Sequence, residues 1–124
     1  NGANNVIRGG LGADTLSGGG GNDSYAYLAV ADSTAASKDQ ISGFNAGDKI
    51  NLSAIDAIAG TANNDAFTFI GSNAFHNVAG ELRATQSGGV WTIQADVNGD
   101  GIADLVVGLT TEGGYLIGAG DFIL

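Results

Sequence analysis

The sequence predicts an all-β chain, with a short parallel β-roll over residues 1–30 and a β-sandwich-like capping domain over residues 31–124. Two observations lead there. First, two nine-residue blocks, Gly9–Ser17 and Gly18–Ala26, follow each other in register and share the pattern G-G-x-G-x-D-x-U-x. U is large and apolar, Leu16 and then Tyr25, and consecutive nonapeptides of this kind are the period of a parallel coil. Second, the rest of the chain alternates apolar and polar residues with a period of two, as strands do, rather than the helical 3.6.

Within each block the residue types divide the work. The glycines let the backbone turn through positive φ and expose its carbonyls. The sixth residue, Asp14 or Asp23, supplies a hard anionic oxygen. The x-U-x triplet then makes a very short strand with one inward side chain. Carbonyls and a carboxylate around one bend form the loose oxygen cage that calcium favours. The candidate ligands are therefore Asp14 and Asp23 with the backbone at Gly9, Leu11, Gly12, Gly18 and Gly20. Asn1–Arg8 reads as a worn copy of the same unit, with Ala3 in place of a glycine, Asn5 in place of the Asp and Ile7 at the apolar position. Asn5 still offers a neutral oxygen.

These blocks resemble the RTX proteins, the bacterial calcium-binding nonapeptide-repeat family. The resemblance implies that two successive repeats make one coil of a right-handed roll, with calcium between same-side turns of neighbouring coils. It gives Asp23 an ion shared with the Asn5 turn. It leaves Asp14 in need of a downstream partner, for which Asp39 and Asp32 are the candidates.

Composition bounds the function. A chain of 124 residues suffices for one domain with a modest core. The net charge of −9 and the pI near 4.1 argue against nucleic acid and against docking on an anionic membrane. A hydrophobic content of 44% argues for a folded chain rather than a disordered acidic one. Clustered Asp residues in a folded chain repel one another, and a bound divalent cation would relieve that. With no cysteine there are no disulfides to staple an extracellular domain, which leaves metal as the substitute. No segment is long and apolar enough for a transmembrane helix, so no stable membrane insertion is expected. The sequence lacks Met and opens inside a repeat, so an upstream passenger domain in cis is expected.

Along the chain, Ser24–Val30 reads as the last roll strand running on into the cap, and Ala31–Lys38 as a polar loop. Asp39–Phe44 and Lys49–Leu52 read as strands around a turn at Asn45–Asp48. Ser53 is placed to cap a short helix over Ala54–Ala59, closed by Gly60. Asp65–Gly71 reads as a strand with Phe67 and Phe69 on one face. Gly80–Gln86 and Val90–Val97 read as a hairpin, followed by strands at Ile102–Leu109 and Tyr115–Ile117.

The run Asp39–Ser53 resembles the segment that follows the roll in serralysin-type metalloproteases and other RTX exoproteins. There the opening Asp helps to close the last calcium site, and this falls on Asp39. Asp48 reads as a turn residue. A second candidate site is Asp96–Asp104, which fits D-x-[DN]-x-D-G-x-x-D and resembles the calcium loops of integrin-type propellers. Asp96, Asn98, Asp100 and Asp104, with the carbonyl of Ile102, could surround one ion. Val107 stands where an EF-hand needs Glu, which excludes a helix–loop–helix. Asn-Gly and Asp-Gly are also strong turn formers without any metal.

No catalytic constellation emerges. The single histidine, His76, rules out H-E-x-x-H, and nothing resembles G-x-S-x-G. His76 reads as a surface residue, Trp91 as core, and Glu81 with Arg83 as a surface pair. The tail Gly120–Leu124, one acidic and three apolar residues after a glycine, resembles the terminal signal of proteins exported by type I secretion. The resemblance as a whole implies a secreted, extracellular, calcium-binding C-terminal module that engages the type I secretion apparatus and is not itself an enzyme. The alternative is a carbohydrate- or surface-binding module attached to an upstream enzyme or adhesin.

Overall fold

The structure, a computed structural model, describes residues 1–124. It is built almost wholly from strands and turns. In chain order the strands are β1 (Val6–Ile7), β2 (Thr15–Leu16), β3 (Ser24–Ala26), β4 (Asp39–Phe44), β5 (Lys49–Asn51), β6 (Thr68–Phe69), β7 (Glu81–Ser87), β8 (Val90–Asp96), β9 (Leu105–Thr111) and β10 (Phe122–Ile123). Two 3-10 turns, Val30–Asp32 and Ala119–Asp121, complete the inventory.

The first five strands alternate between two sheets. One sheet has the order β1-β3-β5-β10, and all its pairs are parallel. The other has the order β2-β4-β9-β8-β7-β6. In it β2, β4 and β9 run parallel, β7–β8–β9 form an antiparallel meander, and β6 lies parallel to β7. Both sheets draw strands from each side of residue 30.

Register places the apolar repeat positions inside. Ile7, Tyr25, Ile50 and Phe122 stack across the first sheet. Leu16, Ile41, Leu109 and Trp91 stack across the second. The two rows belong to one core of 19 buried residues, with Ile7 and Leu16 packed at its edge. Trp91 is buried in that core as its strand pattern predicts.

Several elements depart from the sequence reading. The strand expected over Ser24–Val30 ends at Ala26. Asp32 Oδ2 accepts the N–H groups of Leu28 (2.9 Å) and Ala29 (3.2 Å) and draws the chain into a turn. The helix expected over Ala54–Ala59 does not form. The Ser53 hydroxyl donates back to Asn51 Oδ1 at 2.7 Å instead of accepting from a helical N–H, and Asp56 Oδ1 accepts from Ile58 and Asp65. Side-chain bonding of this kind competes with helix nucleation.

The strand at Asp65–Gly71 shortens to β6, though Phe67 and Phe69 still both meet the core. The strand expected from Ile102 begins only at Leu105, because Asp104 is held in the preceding turn by Val97 and Asn98. Tyr115–Ile117 is not a strand; the last strand is β10, which pairs with β5. Glu81 does not pair with Arg83. It is buried and holds His76 through both carboxylate oxygens, while Arg83 lies 5.5 Å from the Phe75 ring centre. His76 remains mostly exposed at its ring but is tied down by Glu81.

Candidate metal centre

The glycine turns stack because successive coils put equivalent residues side by side. Three acidic side chains bridge the coils in the same way. Asp23 Oδ1 accepts the N–H of Asn5 at 2.9 Å, Asp39 Oδ1 accepts that of Asp14 at 2.9 Å, and Asp48 Oδ1 accepts that of Asp23 at 2.8 Å. Asn5, Asp23 and Asp48 form one column beside the first sheet, and Asp14 and Asp39 form the other beside the second. The expected neighbours Asn5–Asp23 and Asp14–Asp39 are therefore brought together. Asp32 is not in the column: it caps its own turn, although its charge reaches Asp39.

What distinguishes these carboxylates is the oxygen left over. Oδ2 of Asp14, of Asp23 and of Asp39 is buried and has no hydrogen-bond partner. Asp23 and Asp39 are themselves fully buried. A buried anionic oxygen without a partner is strongly unfavourable. Burial pushes the Asp39 carboxyl up. The Asp14 N–H holds it down, and the carboxylates of Asp14 and Asp32 push it up further.

The first glycine of each block is fitted to its own Asp. A Cβ at Gly9 would stand 2.6 Å from Asp14 Oδ2, and one at Gly18 would collide with Asp23 Oδ2. Gly12 and Gly21 sit at φ 109° and 108°, and Gly47, before Asp48, at 105°. The orphaned oxygens of Asp14 and Asp23 thus each lie against the bare backbone of the glycine that opens their block. Hard anionic oxygens and exposed carbonyls are the donor set for calcium, so the residues present fit that ion. Side chains alone bring no three carboxylates or imidazoles together, so an ion here would rely on carbonyls such as those of Gly9, Leu11, Gly12, Gly18 and Gly20.

The Asp96–Asp104 loop is arranged differently. Asp96 is fully buried, and both of its oxygens are used: Oδ1 by the N–H groups of Asn98 and Gly99, Oδ2 by that of Gly101. Asn98 Oδ1 accepts from Asp100, Asp100 Oδ1 from Ile102, and Asp104 Oδ2 from Val97. The same residues that fit a calcium motif here satisfy a tight turn by themselves. Ile102 is exposed.

Asp48 is the turn residue the sequence predicts, its N–H donating to Asn45 O at 3.1 Å, but its place in the Asn5–Asp23 column was not foreseen. It is fully buried, and its Oδ2 accepts the Asn45 N–H at 3.0 Å while Oδ1 bridges to Asp23. A signal was available. Asp39-Gln40-Ile41 and Asp48-Lys49-Ile50 repeat D-x-U at nine residues, as do Asp14-Thr15-Leu16 and Asp23-Ser24-Tyr25. The glycines around the second pair are too degraded to announce it.

The fold and these turns define an all-β module of stacked glycine–aspartate bends. The profile of the peptidase M10 serralysin C-terminal family matches residues 3–124, and the chain belongs to that family. No curated protein matches it.

Proposed function

We propose that this chain is a calcium-binding, non-catalytic C-terminal module of RTX type, in which residues 1–30 begin a β-roll and residues 31–124 cap it. The observation that carries the reading is the set of buried, partnerless oxygens on Asp14, Asp23 and Asp39. Calcium between the Asn5 and Asp23 turns, and between Asp14 and Asp39, would supply their missing partner. Calcium binding to the folded state alone stabilises it by about 2.7 kcal/mol per site at a hundredfold excess over Kd.

The module works outside the cell. Extracellular calcium modules commonly bind at ~10⁻⁴–10⁻³ M, so the turns stay open where free calcium is scarce and close after export. The tail supports this order of events. Asp121 and Phe122 are buried and β10 is paired, so a type I secretion apparatus would read Gly120–Leu124 only before folding. Folding on release would then support a passenger domain in cis. The Asp96–Asp104 loop serves as a self-satisfied hairpin turn, with calcium as a secondary role. The alternative of a carbohydrate- or surface-binding module draws no support from Trp91, which is buried.

Circular dichroism melts in EGTA and in millimolar calcium test the proposal. A rise in Tm with calcium is expected; an unchanged spectrum and Tm would overturn it.

A further inference from the structure

The two carboxylate columns end differently. In the first, Asp23 Oδ1 accepts the Asn5 N–H and Asp48 Oδ1 accepts the Asp23 N–H, so each backbone N–H is held by the aspartate of the next coil. In the second, Asp39 Oδ1 accepts the Asp14 N–H, but the next strand, β9, puts Val107 in register with Asp39 and offers no carboxylate there. The Asp39 N–H goes instead to the Ser33 hydroxyl, at 2.9 Å. Ser33 is fully buried. Its hydroxyl proton is committed to the Val106 carbonyl, so towards Asp39 the oxygen acts only as an acceptor, as a carboxylate oxygen would. The Ser33 carbonyl accepts the Val106 N–H at 3.1 Å, and Ser33 is extended, at φ −148° and ψ 112°. It thus continues the β4 side of the ladder along β9. The turn between them, Thr34–Ser37, closes on its own hydrogen bonds.

We infer that Ser33 is a positioning residue of the Asp14–Asp39 calcium site. Its hydroxyl stands in the column where a further aspartate would stand, anchors the Asp39 backbone to β9, and so holds the Asp39 carboxylate against the Asp14 turn. A neutral oxygen suits that place. Asp39 is fully buried with one oxygen already unpartnered, and another carboxylate at its back would add like charge to a buried anion. Ser33 lies outside both nonapeptides and outside Asp39–Ser53, so neither pattern marks it. This role rests on the calcium reading above.

The test uses Ser33→Ala and Ser33→Thr in the full chain. Calcium is titrated while the NMR amide signals of Asp14 and Asn5 are followed; these amides donate to Asp39 and to Asp23, and so report the two sites separately. In Ser33→Ala the Asp14 signal should respond at about tenfold higher calcium, because a buried N–H has lost its acceptor, while the Asn5 signal responds as in the parent chain. Ser33→Thr keeps the γ-oxygen and should restore the parent response at Asp14. A serine that merely supports the fold would shift both responses equally in Ser33→Ala, and that result would overturn the inference. So would Ser33→Thr behaving as Ser33→Ala. A calcium response in the parent chain that Ser33→Ala leaves unaltered at Asp14 sinks this inference alone. No response at either amide in the parent chain sinks the calcium reading and this inference with it.

Discussion

Asp48 and Asp23 occupy the same column but hold their charge differently. Both Asp48 oxygens accept backbone N–H groups, whereas Asp23 leaves Oδ2 without a partner. Removing a satisfied buried acceptor strands its donors under all conditions; removing an unsatisfied one relieves strain unless a cation fills the gap. Asp48→Ala is therefore expected to lower Tm in EGTA and in calcium alike, by the equivalent of about 1–3 kcal/mol. Asp14→Ala is expected to lower it only in calcium, and Asp23→Ala, whose Oδ1 also holds the Asn5 N–H, to lower it in both conditions but further in calcium; paired melts will read the difference. Glu81 gives a pH test. The His76 N–H is the main influence holding its carboxyl below the usual range; burial opposes this, and the His76 ring assists it. A depressed carboxyl contributes stability that is present above the unfolded value, about 4.3, and is lost as pH falls through the folded value. The Tm gap between the parent chain and Glu81→Gln should be open at pH 7 and close in acid. Asp14, Asp23 and Asp39 were legible because the repeat or the segment after it marks them. Asp48 and Glu81 were not, since a Gly-Asp turn and an alternating strand residue look the same whether buried or solvated.

Short pieces of chain become strands here only because a neighbour completes them. β1, β2, β6 and β10 are two residues each, too short to stand without the ladders beside them. The β7–β8 hairpin is the exception, and it was legible from its alternation and its turn. Gly88 and Gly89 sit at φ 59° and 80°, the primed-turn geometry that suits a two-residue loop. Replacing either by Ala should cost about 1–2 kcal/mol, since a Cβ disfavours the left-handed region. The calcium-dependent part of the melt should be unchanged, because a Cβ at either glycine meets nothing within 4 Å. The helix expected at Ala54–Ala59 failed for a reason the pattern hides. Ser53 is as good a cap by composition as by any rule, yet its hydroxyl is committed to Asn51. β10 was equally hidden, because the parallel pairing of Phe122 with Ile50 spans most of the chain and leaves no local period.

The molecule as a whole sets two kinds of cohesion against one net charge of −9. The β7–β8–β9 meander holds itself by its core rows, with Ile93, Leu105, Val107 and Leu109 fully buried. The N-terminal coils hold fewer buried side chains and carry the orphaned carboxylates. Stability should therefore be graded along the stack, with opening units that differ in free energy. Hydrogen exchange makes the grading visible. In EGTA the amides of Asn5, Asp14 and Asp23 should lose protection, since each donates to a carboxylate or lies between two coils that calcium would tie. The amides of Ile93 and Val107 should keep theirs. Added calcium should restore the first set, whereas sodium chloride at equal ionic strength should not, because buried charges are poorly screened. Uniform loss of protection across both sets would mean that the ion supports the whole core rather than the coil. Recovery in salt alone would mean that diffuse repulsion, and not a bound ion, governs the turns.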